Sequence, residues 1–175
     1  MKITLIILCA ILTSCSSCKK LNIFKDEKLT LNKLEYSGNQ LRTDGLYYGN
    51  TDTAWINILV LYRDGTVLLP GVCKLPELKE YFESIIRSMN VMRPSKFEWG
   101  LFNIEHNTIK IEHWLPAQGG YPTLLRTGEI LNDTTFVLTK SVMRGKNVAT
   151  PKDINQTFYF KHFDIKPDST NSFIK

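Results

Sequence analysis

From Phe97 to Leu115 the chain reads FEWGLFNIEHNTIKIEHWL, and its apolar positions recur with period two. That period belongs to half-buried strands rather than to a helix. Gly100, Phe102 and Ile104 fall on one face of a first strand, and Ile109, Ile111 and His113 on one face of a second. Between them Glu105-His106-Asn107-Thr108 forms a polar turn, with Asn107 the residue suited to a positive φ. Gly inside a strand weakens it unless a close approach needs it, so Gly100 is expected to sit against the helix or a neighbouring ring.

The same pattern runs along the rest of the chain. Asp64-Gly65 is a hairpin signal between TAWINILVLYR and Thr66–Leu69, and Asn132-Asp133 turns the chain between two further strands. Eight strands are predicted, near 46–50, 53–63, 66–70, 97–105, 108–115, 123–131, 134–143 and 156–163. One helix is predicted near 76–89. Pro76 suits a first turn, Glu77 and Glu80 complement the positive helix end, and Leu78, Phe82, Ile85, Ile86 and Met89 form one stripe. Asn90 and Pro94 stop it. Short turns join most strands, which predicts a mainly β domain over 42–165, an eight-stranded antiparallel up-and-down barrel with one inserted helix. A two-sheet sandwich is the alternative. The longest loops expected are 116–122 and 144–155.

The ends read differently. Residues 1–14 carry Lys2 followed by an apolar run from Ile3 to Leu12, too short to span a bilayer, as in a secretory signal. Residues 15–41 are polar and weakly patterned, and read as a tether; 166–175 read as a frayed tail. Cys9 leaves with the signal, and Cys18 and Cys73 either pair or remain separate thiols.

Composition narrows the function. The 175 residues carry a formal net charge of +5, spread along the chain without a dense basic patch, so no nucleic acid is expected as partner. His106, His113 and His162 are scattered, and no metal or other cofactor is expected. G-x-S-x-G is absent, no Gly cluster makes a phosphate loop, and Glu112 and His113 are adjacent and so point to opposite faces; a non-enzymatic protein is expected. The candidates for ligand binding are Trp99, Phe102, His113, Trp114 and Arg126. Large rings, among them Tyr47, Tyr48, Trp55 and Tyr62, either line an apolar pocket or fill a small barrel completely.

Leu12-Thr13-Ser14-Cys15, at the end of the apolar run, resembles the bacterial lipobox. The resemblance implies a diacylglycerol-modified, palmitate-bearing Cys15 as the mature N-terminus, and two or three acyl chains anchor stably where one does not. Ser16 resembles an outer-membrane sorting choice, and Ser17, Lys19 and Lys20 lack the early acidic residues of some surface-exported lipoproteins, which implies an outer-membrane protein facing the periplasm. Asp52-Thr53-Ala54, Asp133-Thr134-Thr135 and Asp168-Ser169-Thr170 resemble the D-[S/T]-small or apolar O-glycosylation acceptor of some Gram-negative exported proteins, with Thr53, Thr134 and Ser169 as acceptors.

With LYRDGTVLLPG, GEILNDTTFVLTKS and the phrase G-x-F-x-I-x-x-N-x-I-x-I carried by Gly100, Phe102, Ile104, Asn107, Ile109 and Ile111, residues 42–163 resemble small bacterial lipoproteins with lipocalin-like barrels. The resemblance brings no catalytic residues. It implies a lipid-anchored cell-envelope protein that takes a small apolar or amphipathic ligand in its barrel. The alternative is a protein-interaction or inhibitor lipoprotein that binds an envelope protein through loops 116–122 and 144–155.

Overall fold

A computed structural model describes residues 25–50, 54–89, 94–117, 120–145 and 151–175. The readings on residues 1–14, Cys15, Cys18, Thr53 and Asn90 lie outside them. The described strands are β1 (Gly45–Asn50), β2 (Trp55–Leu61), β3 (Thr66–Leu68), β4 (Val72–Lys74), β5 (Trp99–Glu105), β6 (Thr108–Trp114), β7 (Thr123–Asn132), β8 (Thr135–Arg144) and β9 (Lys152–His162). All pairs are antiparallel. The order runs β1-β9-β8-β7-β6-β5-β3-β2, and β2 pairs back onto β1, so eight strands close a barrel. Closure leaves none of these eight as an open edge, which is the physical reward for the meander.

Strand boundaries differ from the expectation in two places. The strand expected to end at Pro70-Gly71 resumes beyond it, because β3 and β4 lie end to end along β2, at Val60↔Leu68 and Ile56↔Cys73. Pro70 has no N–H to give a ladder and Gly71 adopts φ 113°, so these two residues break one strand position into two. The loop expected over 144–155 is shorter, since Lys152–Asn155 already belong to β9, with Asp153 opposite Lys140.

The central hairpin pairs Gly100↔His113 through Glu105↔Thr108. Its positive φ, 56°, is at His106 rather than at the expected Asn107. Asn107 instead ties the turn to β7, donating from Nδ2 to the Ile130 carbonyl at 2.6 Å and accepting the Ile130 N–H at 2.9 Å. Phe102, Ile109 and Ile111 are buried on the inner face, with Ile104 partly buried beside them. Gly100 meets neither helix nor ring. A Cβ there would strike the Glu112 carbonyl and stand 2.8 Å from His113 Cβ, so close pairing with β6 is what excludes a side chain.

Two cores result from strand alternation. Inside, Tyr47, Phe102, Phe136 and Phe158 pack with Leu59 and Leu61; the Phe136 and Phe158 rings stack at 5.0 Å. Outside, Leu46, Ile58, Val60 and Trp99 are covered by Leu78 and Phe82 of helix α1 (Leu78–Met89). A 3-10 turn, Leu75–Glu77, carrying Pro76, leads into that helix. The predicted stripe is thus the buried face, with Ile85, Ile86 and Met89 partly buried at its margin.

The described segments flanking the barrel on both sides pack more than their composition suggests. Residues 25–41, expected as part of a tether, form a strap. Asp26 and Glu27 join Tyr121, Thr30 and Leu31 join Glu112, and the Tyr36 and Arg42 amides donate to the carbonyls of Arg63 and Asp133. The strap therefore runs down the outer face of β6 and crosses beneath the barrel from the β2–β3 turn to the β7–β8 turn. Tyr36 and Leu41 enter the inner core there, 8% and 1% exposed, and the Leu41 N–H donates to the Tyr36 hydroxyl at 2.7 Å. In the expected tail, Lys166 Nζ donates to the Thr43 and Leu61 carbonyls, at 2.6 and 3.2 Å, and Ile174 is buried. Sparse apolar residues suffice here because the barrel supplies the rest of the surface they bury.

Candidate functional site

The barrel's two ends are unlike. The lower end, at the turns 62–65, 106–107 and 133–134, is plugged by Tyr36, Leu41 and Tyr47, whose hydroxyl donates toward the carbonyls of Arg42 and Asp133. The upper end, where β6 leaves toward β7 and β8 toward β9, holds an open pocket of about 240 Å³. Leu59, Leu69, Phe97 and Trp114 give it an apolar wall, and His113 and Arg126 give it polar atoms.

Arg126 stands opposite Ile111, so it shares the inner face. It is 8% exposed. Its Nε has no hydrogen-bond partner, and among the described residues no carboxylate forms an ion pair with its guanidinium. Burial alone pulls the group down to about 10, still above neutrality, so the cation persists. His113, on the same face one step along β6, is equally buried. Its Nδ1 lies 2.9 Å from the Trp114 carbonyl, and the Phe97 backbone is a second hydrogen-bond partner of the ring. Burial first, and then the Arg126 charge, push it down to about 4, so the imidazole is neutral at pH 7. Glu98, the remaining titratable side chain on the lining, turns toward the rim, where its Oε2 accepts the Ser95 N–H at 2.5 Å.

The other candidates separate. Phe102 is inside but fully packed against Tyr36, with ring centres 5.6 Å apart, and lies below the pocket. Trp99 faces outward into the helix-covered core, near Tyr62. Trp114 also belongs to the outer face; it borders the pocket, its Nε1 donates to the Glu27 carbonyl at 2.7 Å, and Lys96 Nζ lies 4.4 Å above its ring. Residues 99 and 114 alternate with 100 and 113, so the inner position of His113 already excludes them from the inner wall. Of the glycosylation candidates, Thr134 and Ser169 are half-buried, and each lies in a side-chain-bonded turn: Thr134 donates to Asn132 Oδ1 at 2.8 Å, and the Ser169 carbonyl accepts from Asn171 at 3.1 Å. Cys73 is buried as a free thiol, raised by that burial.

One residue passed over as a site candidate proves central to the architecture. Glu112 is fully buried on the outer face of β6. Its Oε2 accepts from the Thr30 N–H at 2.6 Å, the Thr30 hydroxyl at 3.0 Å and the Leu31 N–H at 2.9 Å, while Oε1 accepts from the Thr123 hydroxyl at 3.0 Å. A carboxylate in the middle of an alternating strand is the available signal, but its strap partners lie 82 and 81 residues away in sequence. Among the described residues no group of three or more His, Cys, Asp or Glu is placed to hold a metal ion. No protein-family model, curated protein or solved structure matches the chain.

Proposed function

We propose that this is a lipid-anchored cell-envelope protein that holds a small amphipathic ligand in the upper end of a lipocalin-like barrel. The pocket carries the reading: an apolar wall with a few convergent polar groups is the usual form of a small-molecule site. Filling of the lower barrel by rings confines the ligand to that end.

The strap supports an arrangement in which anchor and pocket cooperate. Asp26 and Glu27 bond to Tyr121 near the pocket end. An acylated Cys15 stands ten residues before Lys25, so at about 3.5 Å per residue it holds this end within roughly 35 Å of the bilayer. A ligand that partitions into lipid then has a short path to the mouth. The reading puts the protein in the outer membrane, facing the periplasm. Cys15→Ser is expected to release it from membranes, and proteases added to intact cells are expected to leave it whole.

The binding function is tested with the full-length protein in neutral-lipid nanodiscs, by following Leu59 and Leu69 methyl resonances through a titration with short amphiphiles, neutral and anionic. Saturable shifts that Leu69→Trp abolishes are expected. Absence of saturation with every amphiphile defeats the reading. The second reading, a protein partner held by loops 116–122 and 144–155, draws on both loops leaving the barrel at this same end; binding of an envelope protein that survives Leu69→Trp favours it.

A further inference from the structure

We propose that the ligand's polar end is a carboxylate, seated on the Arg126 guanidinium, with its apolar body against Leu59, Leu69 and Phe97. This rests on the pocket reading above and adds the chemical class.

The reasoning starts from desolvation. A buried cation is retained in folded proteins when it is paired or when something else takes the place of its solvent. Arg126 is more than nine-tenths buried, lines an open pocket, and has an Nε with no acceptor. Among the described residues no counter-charge answers it. Among the lining residues Glu98 alone is acidic, and its carboxylate is turned to the Ser95 amide; His113 is neutral at pH 7 and adds no competing positive charge. A planar guanidinium with free donors matches a carboxylate in two parallel hydrogen bonds. A neutral His113 adds no second cation beside Arg126, which suits a ligand with one negative charge. The volume limits the body. At roughly 30 Å³ per non-hydrogen atom, 240 Å³ holds about eight atoms, so the class is a short aliphatic or single-ring carboxylate rather than a long acyl chain held entirely inside.

The test uses full-length protein in neutral-lipid nanodiscs with three probes of one length: hexanoate, hexan-1-ol and hexylammonium. Hexanoate is expected to bind roughly 10- to 100-fold more tightly than hexanol, the range expected when one hydrogen-bonded ion pair is added, and hexylammonium is expected not to bind. Arg126→Gln should remove that preference. Arg126→Lys, which keeps the charge, should keep part of it, and this variant serves if the Gln variant does not fold. Equal binding of hexanoate and hexanol overturns the carboxylate assignment and leaves the pocket reading standing. Saturation by inorganic phosphate at the hexanoate concentration also overturns it, because a bare anion lacks the apolar body. If no probe binds, both readings fall.

Discussion

Glu112 and Arg126 lie on opposite faces of the same sheet, on neighbouring strands, and both are buried charges. Glu112 is met by four donors from the strap and from Thr123. Among the described residues Arg126 forms no ion pair with a carboxylate, and its Nε is left unbonded. The same penalty of desolvation is answered in one case by the chain itself and in the other case left for something outside the chain. Glu112 therefore reads as architecture. It converts an otherwise weakly apolar N-terminal segment into a strap, and the strap delivers the Tyr36–Leu41 plug to the lower barrel. Arg126 reads as a site.

The largest expected effect removes the satisfied charge. Glu112→Ala leaves the Thr30 and Leu31 amides without their acceptor, at about 1–3 kcal/mol for each buried donor, so a loss of about 3 kcal/mol or more is expected in urea melts. Proteolysis between residues 25 and 41 should accelerate in step. If stability is unchanged and the strap stays protected, the carboxylate is not what holds it.

Next is the acid response of His113. Its folded value is about 4 against an ordinary 6.5, so between these values the unfolded chain binds more protons. Its contribution to stability is intact above pH 6.5, is lost as pH falls toward 4, and changes no further below that. At about 1.4 kcal/mol per pH unit the loss totals roughly 3 kcal/mol. The steeper slope of wild type over His113→Gln between pH 6.5 and 4 measures it, and equal slopes would show that the ring is solvated. In an Arg126→Met background the slope should shrink, because part of the depression comes from the Arg126 charge.

Arg126→Met sharpens the comparison in the opposite direction. Replacing an unpaired buried charge by an apolar side chain of similar length is expected to raise stability, by about 1–2 kcal/mol. Thermal unfolding of the ligand-free protein reads this, and a destabilised variant would mean that the guanidinium is already compensated. The smallest effect belongs to Lys110. Its Nζ pairs with Glu105 at 2.8 Å, but Glu105 is mostly exposed. Lys110→Ala should cost less than about 0.5 kcal/mol, which sets the scale of a charge that never left water.

The sequence by itself determined the architecture wherever the signal was local. Period-two alternation placed the hairpin faces, Asp64-Gly65 placed a turn that Gly65 makes at φ 83°, and Pro76 with the following stripe placed the helix. Alternation also put His113 inward with Ile109 and Ile111, whereas the inward place of Arg126 and the outward places of Trp99 and Trp114 came from the pairing of the strands in the closed sheet. What only the tertiary structure decided depends on contacts distant along the chain. Glu112 meets Thr30 across 82 residues, and Tyr36 meets the barrel floor through Arg63. No local pattern reports such pairings, because a strap with few apolar residues is stable only on a surface already built. The filled lower end and open upper end likewise follow from how rings from separate strands meet inside a closed sheet. Closure fixes how much interior volume remains, and the side chains of eight strands together, rather than any one of them, determine where it is left empty.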